Sequence, residues 1–392
     1  MSAVYKTNKS IKLRMRQIRP KATRPFSLPD VGKILMIKSH SMGIGDLLRS
    51  SAAWRALKER WPKAELHLLF LSRHPGYSVE ELISNHHLLD SATFLTIREG
   101  NPHIAKSRRV PHRVLTAQVR DLVQRLQPDL IIDFEPSGLR STLLTRAAAG
   151  ASSARSVGIA QFPGRGLFYD VAARSSSEYA RRRGLNQPMD YTNRDFVVLS
   201  ALGIERDGRP IELQLSDKGQ LYSTQLKRRL LTGLPVVGLN IGCGTPDANK
   251  KRPKISDLVE CIGQTLKEYP HSLLLSGAEF ERDVNQEFTS AYVARWGDVS
   301  HIYDLAGETT LCSLTGLIDA CDVFISTDSG PYHMSVAMKK PTLVLFTYPE
   351  VTSFHDYPWV TKLIQPSTQE FQLAFARLMA QNGMDDLFRT AA

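Results

Sequence analysis

From residue 33 onward, short apolar runs alternate with longer stretches whose apolar positions recur every three or four residues. That alternation predicts parallel strands joined by right-handed helical crossovers, since a strand buried on both faces shows a continuous apolar run. In the first half the pattern predicts strands at 33–38, 64–70, 91–97 and 128–134, with helices at 46–61 and 113–126. The series restarts with a strand at 236–241 and a helix at 256–269 opened by Ser256 as N-cap. It continues with strands at 271–276, 301–305, 322–326 and 341–346, helices at 279–294 and 310–320, and a last helical stretch at 369–379. This last helix is placed either on its own domain or across onto the first.

Two such series in 392 residues predict two α/β domains with Rossmann-like parallel sheets, because one core of ordinary size does not grow that large. The expected boundaries are a basic N-terminal arm at 1–30, a first domain at 31–203, a polar linker at 204–235, a second domain at 236–365 and a helical segment at 366–392.

Composition narrows the class. Apolar residues make up 42% and charged residues 23%, as in ordinary globular proteins, and no apolar run reaches the roughly 20 residues that span a bilayer. The basic N-terminus is not followed by an apolar segment of signal-peptide length, so a cytoplasmic protein is expected. A net charge of +11 predicts an acidic partner: nucleic acid, an anionic membrane surface or a phosphorylated substrate. The arm before residue 30 carries eight Lys or Arg and no acid, and reads as a solvated extension, a contact for anionic lipid at the inner membrane, or a transit-type peptide. Cys243, Cys261, Cys312 and Cys321 form no CxxC pair, which argues against a zinc site or a disulfide framework.

Candidate chemistry clusters after three strands. Behind the first comes Ser39-His-Ser-Met-Gly-Ile-Gly-Asp46, where a glycine-bearing turn would set backbone N–H groups and one carboxylate at the carboxyl edge of the sheet. Asp46 on its own reads equally as a helix N-cap. Behind 322–326 comes Ser326-Thr-Asp-Ser-Gly-Pro-Tyr-His333, a helix start suited to a pyrophosphate, with Asp328 or Ser329 as cap in the plainer reading. Behind 236–241 comes Gly242-Cys-Gly-Thr245 and then Asn249-Lys-Lys-Arg-Pro-Lys254, glycines and cations able to neutralise a diphosphate or simply to be solvated. Taken together, the three predict a ligand in a cleft between the two halves.

These residues resemble glycosyltransferase family 9, the ADP-heptose lipopolysaccharide heptosyltransferases. The resemblance is carried by Gly45-Asp46, Ala52-Ala-Trp-Arg-Ala-Leu-Lys58 and Trp61-Pro62, then Gly242-Cys-Gly and Leu305-Ala-Gly-Glu308, and above all Asp328-Ser-Gly-Pro-Tyr-His333 followed by Lys340-Pro341-Thr342. One departure is that the Ser-x-Gly-Asp turn carries Ile44 and Gly45 in addition, so either the loop is longer or Ser41-Met-Gly43 takes the family's place with the acid displaced.

The resemblance implies a GT-B fold and inverting transfer of heptose from ADP-heptose to a Kdo- and phosphate-bearing lipopolysaccharide inner-core acceptor, without metal or cofactor. It implies Asp46 as general base and Thr245, Lys250, Lys251, Arg252, Glu308, Asp328, Ser329, Gly330 and His333 on the donor. Arg98, Lys106, Arg108, Arg109 and Arg113, and a second cluster at Arg181, Arg182 and Arg183, would meet an anionic, lipid-linked glycan. Competing readings are a related transferase with another nucleotide sugar or a protein or glycan acceptor, a catalytically inactive relative, and a nucleic-acid binder; the last lacks any recognisable nucleic-acid-binding motif.

Overall fold

The computed structural model describes residues 28, 30–39, 44–72, 78–99, 108–185, 189–230, 233–242, 250–267, 271–297, 301–348 and 355–384. Contacts divide the chain into two units, Met1–Arg209 and Pro210–Ala392.

Unit 1 runs β1 (Lys33–Ser39), α1 (Ile44–Leu48), α2 (Ser51–Arg60), β2 (Glu65–Ser72), α3 (Ser78–Ser84), β3 (Ser91–Thr96), β4 (Arg98–Glu99), β5 (Arg108–Arg109), α4 (His112–Leu126), β6 (Leu130–Asp133), α5 (Leu139–Ala149), β7 (Arg155–Ile159), β8 (Val171–Ala173), α6 (Ser176–Arg182) and α7 (Asn193–Leu199). Six strands form one parallel sheet in the order β3-β2-β1-β6-β7-β8, and β4 pairs with β5 as a separate antiparallel hairpin. Leu35, Ile37, Leu69, Leu71 and Ile131 of the sheet pack against Leu115, Val119 and Val123 of α4 and Leu144 of α5. At β7 the Tyr169 ring sits so close to Gly158 that a Cβ there would come within 2.3 Å of it; glycine is required there by space alone.

Unit 2 runs α8 (Asp217–Arg229), β9 (Val236–Asn240), α9 (Ile255–Leu266), β10 (Ser272–Ser276), α10 (Arg282–Trp296), β11 (Ile302–Asp304), α11 (Leu311–Ala320), β12 (Val323–Thr327), α12 (Gly330–Ala337), β13 (Thr342–Phe346), β14 (Val360–Ile364) and α13 (Thr368–Gln381). Its parallel sheet has the order β11-β10-β9-β12-β13-β14. Val237, Leu239, Leu273, Ile325 and Leu343 pack against Ile262 of α9, Phe288 of α10 and Phe371, Phe375 and Leu378 of α13. The last helix therefore packs on its own unit, opened by a capping box between Ser367 and Glu370.

Several local expectations are corrected. The helix expected at 46–61 is two helices, because the Ser50 amide bonds back to Leu47 O and tightens the turn between them. Asp46 is thus inside α1 and is not its cap. Ser256 also lies inside its helix: Lys254 occupies the cap without a side-chain bond, and the Ser256 hydroxyl donates to Asp257. The stretch read as a polar linker holds α8, which packs on α11 so closely that a Cβ on Gly316 would fall 2.0 Å from the Gly219 carbonyl oxygen. Cys261, Cys312 and Cys321 are buried thiols, and Cys243 lies outside the described residues. Most of the basic arm lies outside them too.

Candidate functional site

Where strand order reverses in a parallel sheet, neighbouring crossovers leave on opposite faces and a crevice opens at the carboxyl ends of the strands. The reversal falls between β1 and β6 in unit 1 and between β9 and β12 in unit 2.

In unit 1 a cavity of about 210 Å³ opens there, lined by Lys38 and Ser39 from the end of β1, Phe134, Glu135 and Pro136 following β6, Asp46 and Arg49, and Tyr191, Arg194 and Asp195 at the start of α7. Lys38 is buried and donates to both carboxylate oxygens of Asp195 at 2.8 Å, tying α7 to β1. Arg49 Nη1 lies 2.8 Å from Asp46 Oδ1. The turn before α7 is fixed by Asp190, which accepts the Thr192 amide at 2.8 Å and pairs with Arg206, also at 2.8 Å. Tyr191 is thereby presented with the Arg194 guanidinium 3.3 Å and the Arg49 guanidinium 5.1 Å from its ring centroid.

Behind the cavity a buried network shapes its wall. Asp133 Oδ2 accepts from Tyr169 at 2.6 Å, Ser141 at 3.1 Å and Arg165 at 3.3 Å, while Oδ1 accepts the Glu135 amide at 3.0 Å. Arg165 also donates to the carbonyls of Glu135 and Pro136. Burial pushes the Asp133 carboxyl up to about 6 even though Arg165, Tyr169 and the Glu135 amide all favour its charged form. Fixed in this way, Glu135 accepts the Ser39 amide at 2.8 Å.

In unit 2, Thr327 Oγ1 donates to Gly242 O at 2.7 Å, and Ser329 Oγ donates to Asn240 Oδ1 at 2.9 Å, joining the ends of β9 and β12. Ser329 occupies the N-cap of α12 yet makes no side-chain cap bond. Asp328 does not cap either, since its Oδ2 accepts from Lys251 at 2.6 Å and Tyr348 at 3.0 Å. The capping reading of Asp328 and Ser329 is therefore overturned: neither side chain caps the start of α12. Burial works against the charge on Lys251, but the Asp328 hydrogen bond and charge outweigh it and hold the ammonium above its ordinary range. His333 and His355 are buried with Nδ1 and Nε2 2.8 Å apart, so one ring donates to the other.

The structure thus brings Lys251, Asp328, Ser329 and Gly330 together, with Asp46 in the other unit. Lys250 is exposed, its carbonyl accepting from Thr347, and Arg252 is half-buried. Glu308 is exposed and pairs with Arg229 at 2.9 Å. Arg98 faces Arg109 across the β4–β5 hairpin, and Arg113 is exposed at the start of α4. Of the second arginine cluster, Arg182 pairs with Glu178 and Arg183 with Glu205. Thr245 and Lys106 lie outside the described residues. Reading the sequence missed Asp195, Tyr191 and Arg194, which no glycine turn or strand end announces; the one available signal is the polar first turn of α7.

The chemistry at β12 and α12 sits within a segment with known relatives. Residues 263–375 match glycosyltransferase family 9 (heptosyltransferase). That bears out the resemblance read from the sequence. A 73-residue stretch is 36% identical to lipopolysaccharide heptosyltransferase 3 of Escherichia coli K12, covering 19% of this chain and 21% of that protein. The chain thus matches about a fifth of the length of this curated relative. Among solved structures, Escherichia coli ADP-heptose lipopolysaccharide heptosyltransferase II superposes with a TM-score of 0.62 at 19% identity, covering 90% of this chain and 99% of that one. E. coli heptosyltransferase WaaC with ADP-2-deoxy-2-fluoro heptose gives 0.57 at 16% identity, covering 89% and 99%. The α/β fold of two parallel six-stranded sheets, expected as GT-B, is shared with these structures.

Proposed function

We propose that this chain is an inverting glycosyltransferase that moves a heptose from ADP-heptose to an anionic lipopolysaccharide inner-core acceptor. The observation that carries the reading is the helix start at Ser329–Gly330, free of any side-chain cap and flanked by the Lys251–Asp328 pair, inside the segment that matches family 9. A diphosphate set there meets the N–H groups and positive end of α12. An ammonium has three donors; Lys251 is oriented by its bonds to the carboxylate of Asp328 at 2.6 Å and to its carbonyl at 3.4 Å, which leaves a hydrogen for the phosphate.

In the reaction the acceptor oxygen bonds to the anomeric carbon, the carbon–oxygen bond to the diphosphate breaks, and its electron pair leaves with ADP. The acceptor's hydroxyl proton passes to Asp46, which Arg49 holds in one orientation. Lys251 and the α12 start neutralise the charge growing on the diphosphate, a preorganised electrostatic task. Lys250, Arg252, Thr245, Glu308 and His333 remain proposed donor residues, and Arg98, Arg108, Arg109 and Arg113 proposed acceptor contacts at a membrane surface. No helix among the described residues is long and apolar enough to cross a membrane.

Calorimetric titration of ADP, UDP, GDP and CDP tests the donor. ADP should bind tightest, and Lys251→Ala should weaken it about tenfold to a hundredfold, the worth of one charged hydrogen bond. Preference for another nucleotide would replace the heptose donor, and no binding of any would remove the transferase reading. With donor and acceptor in hand, Asp46→Asn should lower kcat by about 10²–10⁴-fold while leaving ADP affinity unchanged.

A further inference from the structure

We propose that His355 is a positioning residue for the donor site: hydrogen-bonded to His333, it makes the two buried imidazoles one proton-holding unit, which takes up a proton when a diphosphate binds at the start of α12. The inference rests on the donor reading of that helix start given above.

His333 lies four residues after Ser329 and so on the same face of α12, about 6 Å along its axis. His355 is fully buried, and its Nε2 stands 2.8 Å from His333 Nδ1. The segment that carries His355 is held by rings. Tyr357 stacks on His355 with centroids 5.8 Å apart, and Trp359 on Tyr357 at 4.9 Å, while Trp359 Nε1 donates to the Val336 carbonyl of α12 at 3.0 Å. Tyr332 meets His355 edge-on at 5.4 Å. Among these rings His355 keeps a φ of +57°, in the left-handed region that few side chains adopt.

This contact decides what the pair does with a proton. With both rings neutral there are two ring protons, and one lies between Nδ1 of His333 and Nε2 of His355. A proton taken from solvent gives His333 Nε2 and His355 Nδ1 an N–H each, leaves the third proton in the shared bond, and puts a charge of +1 on the pair. Burial opposes that charge; sharing it through the hydrogen bond and bringing a negative group close both favour it. The phenols packed on the pair, Tyr332 and Tyr357, are uncharged near neutrality. Asp356 is exposed and paired with Lys362, and on the donor side Lys251 and Asp328 offset each other. The diphosphate thus brings the unbalanced negative charge, and proton uptake follows its arrival.

Calorimetry of ADP binding to the full-length protein at pH 7 tests this, run in Pipes, Hepes and Tris so that the dependence of the apparent enthalpy on buffer ionisation enthalpy counts the protons exchanged. The wild type should take up about 0.5–1 proton more than His355→Gln, which keeps a hydrogen-bonding group opposite His333 but cannot hold the charge. Any proton that ADP itself exchanges is common to both proteins and cancels. From pH 8 to 6 the wild type's ADP affinity should gain on the variant's by up to about tenfold per pH unit. A second measurement needs no variant: in wild type labelled with 15N-histidine, ADP should move the ring nitrogens of two histidines to the shifts of a protonated pair. Equal proton exchange in wild type and variant, parallel pH profiles, or histidine resonances that keep their neutral shifts with ADP bound would each overturn the proposal. The diphosphate is common to ADP, UDP, GDP and CDP, so a preference for another base would change the donor and leave this test to run with that nucleotide. A wild type that binds none of them removes the donor reading, and the role of the pair falls with it.

Discussion

Two residues in unit 1 make quantitative demands that their side-chain type does not reveal. Asp133 is buried with its folded pKa raised to about 6. Below the pH at which an ordinary aspartate ionises, the folded and unfolded chains are both protonated and its stabilising contribution is fully present. That contribution is lost as pH rises through the folded value, because the folded state then gives up a proton from a site where the charge is costly. Between pH 4 and 6 the wild type should therefore lose about 2 kcal/mol relative to Asp133→Asn, read by urea unfolding of both proteins across that range. Gly158 makes a steric demand: a methyl group there meets the Tyr169 ring, which itself donates to Asp133. Gly158→Ala should cost about 1–3 kcal/mol and lower the melting temperature; an unchanged value would mean that Tyr169 can move aside. Neither residue stands out in the sequence, since Asp133 reads as the end of an apolar run and Gly158 as one glycine among 25. Asp46 and Asp328 could be singled out as candidates because each follows a strand within a few residues, and Lys251 because it lies in a run of cations after β9; Arg194 could not, because Arg49 and Lys38, which line the same cavity, lie about 150 residues away in a chain read only by local spacing.

At the scale of elements, apolar runs announced the central strands β1, β2, β9, β10, β12 and β13, whose buried faces leave no polar alternation to confuse them. The outer strands β7, β8 and β14 went unread: β8 has three residues, and β14 is only partly buried. Helix α8 was hidden for a different reason. Its buried positions are Gly219, Ser223 and Leu226, and the close approach to Thr315 and Gly316 of α11 is made at the first two, so a single leucine is all the apolar signal its docking face gives. Gly316→Ala should consequently destabilise unit 2 by about 1–3 kcal/mol through backbone collision, seen as a lower midpoint in denaturant. The tie between β1 and α7 calls for a paired test. Either Lys38→Met or Asp195→Leu alone strands a buried charge and should cost about 3–5 kcal/mol, whereas the double variant should recover most of it. Additive losses in the double variant would show that the pair contributes through something other than its charge.

The whole molecule repeats one plan: each sheet reads third, second, first, fourth, fifth, sixth strand when the β4–β5 hairpin is set aside, and candidate site residues follow the strands at each reversal. Two alternating series in the sequence were enough to expect that duplication. The division itself falls after Arg209, earlier than the middle of the polar stretch at 204–235, because α8 joins the second core. Since α13 remains with unit 2, the chain passes from one core to the other a single time. A fragment beginning at Pro210 carries every strand and helix of its sheet, and should fold alone with a cooperative melt and retain ADP binding; a fragment beginning at 236 loses α8 and should not. A connection of that kind has a meaning for descent as well as for folding. One recombination junction near residue 210 would exchange a complete parallel-sheet unit between relatives without breaking a sheet, so the two candidate sites would be inherited separately.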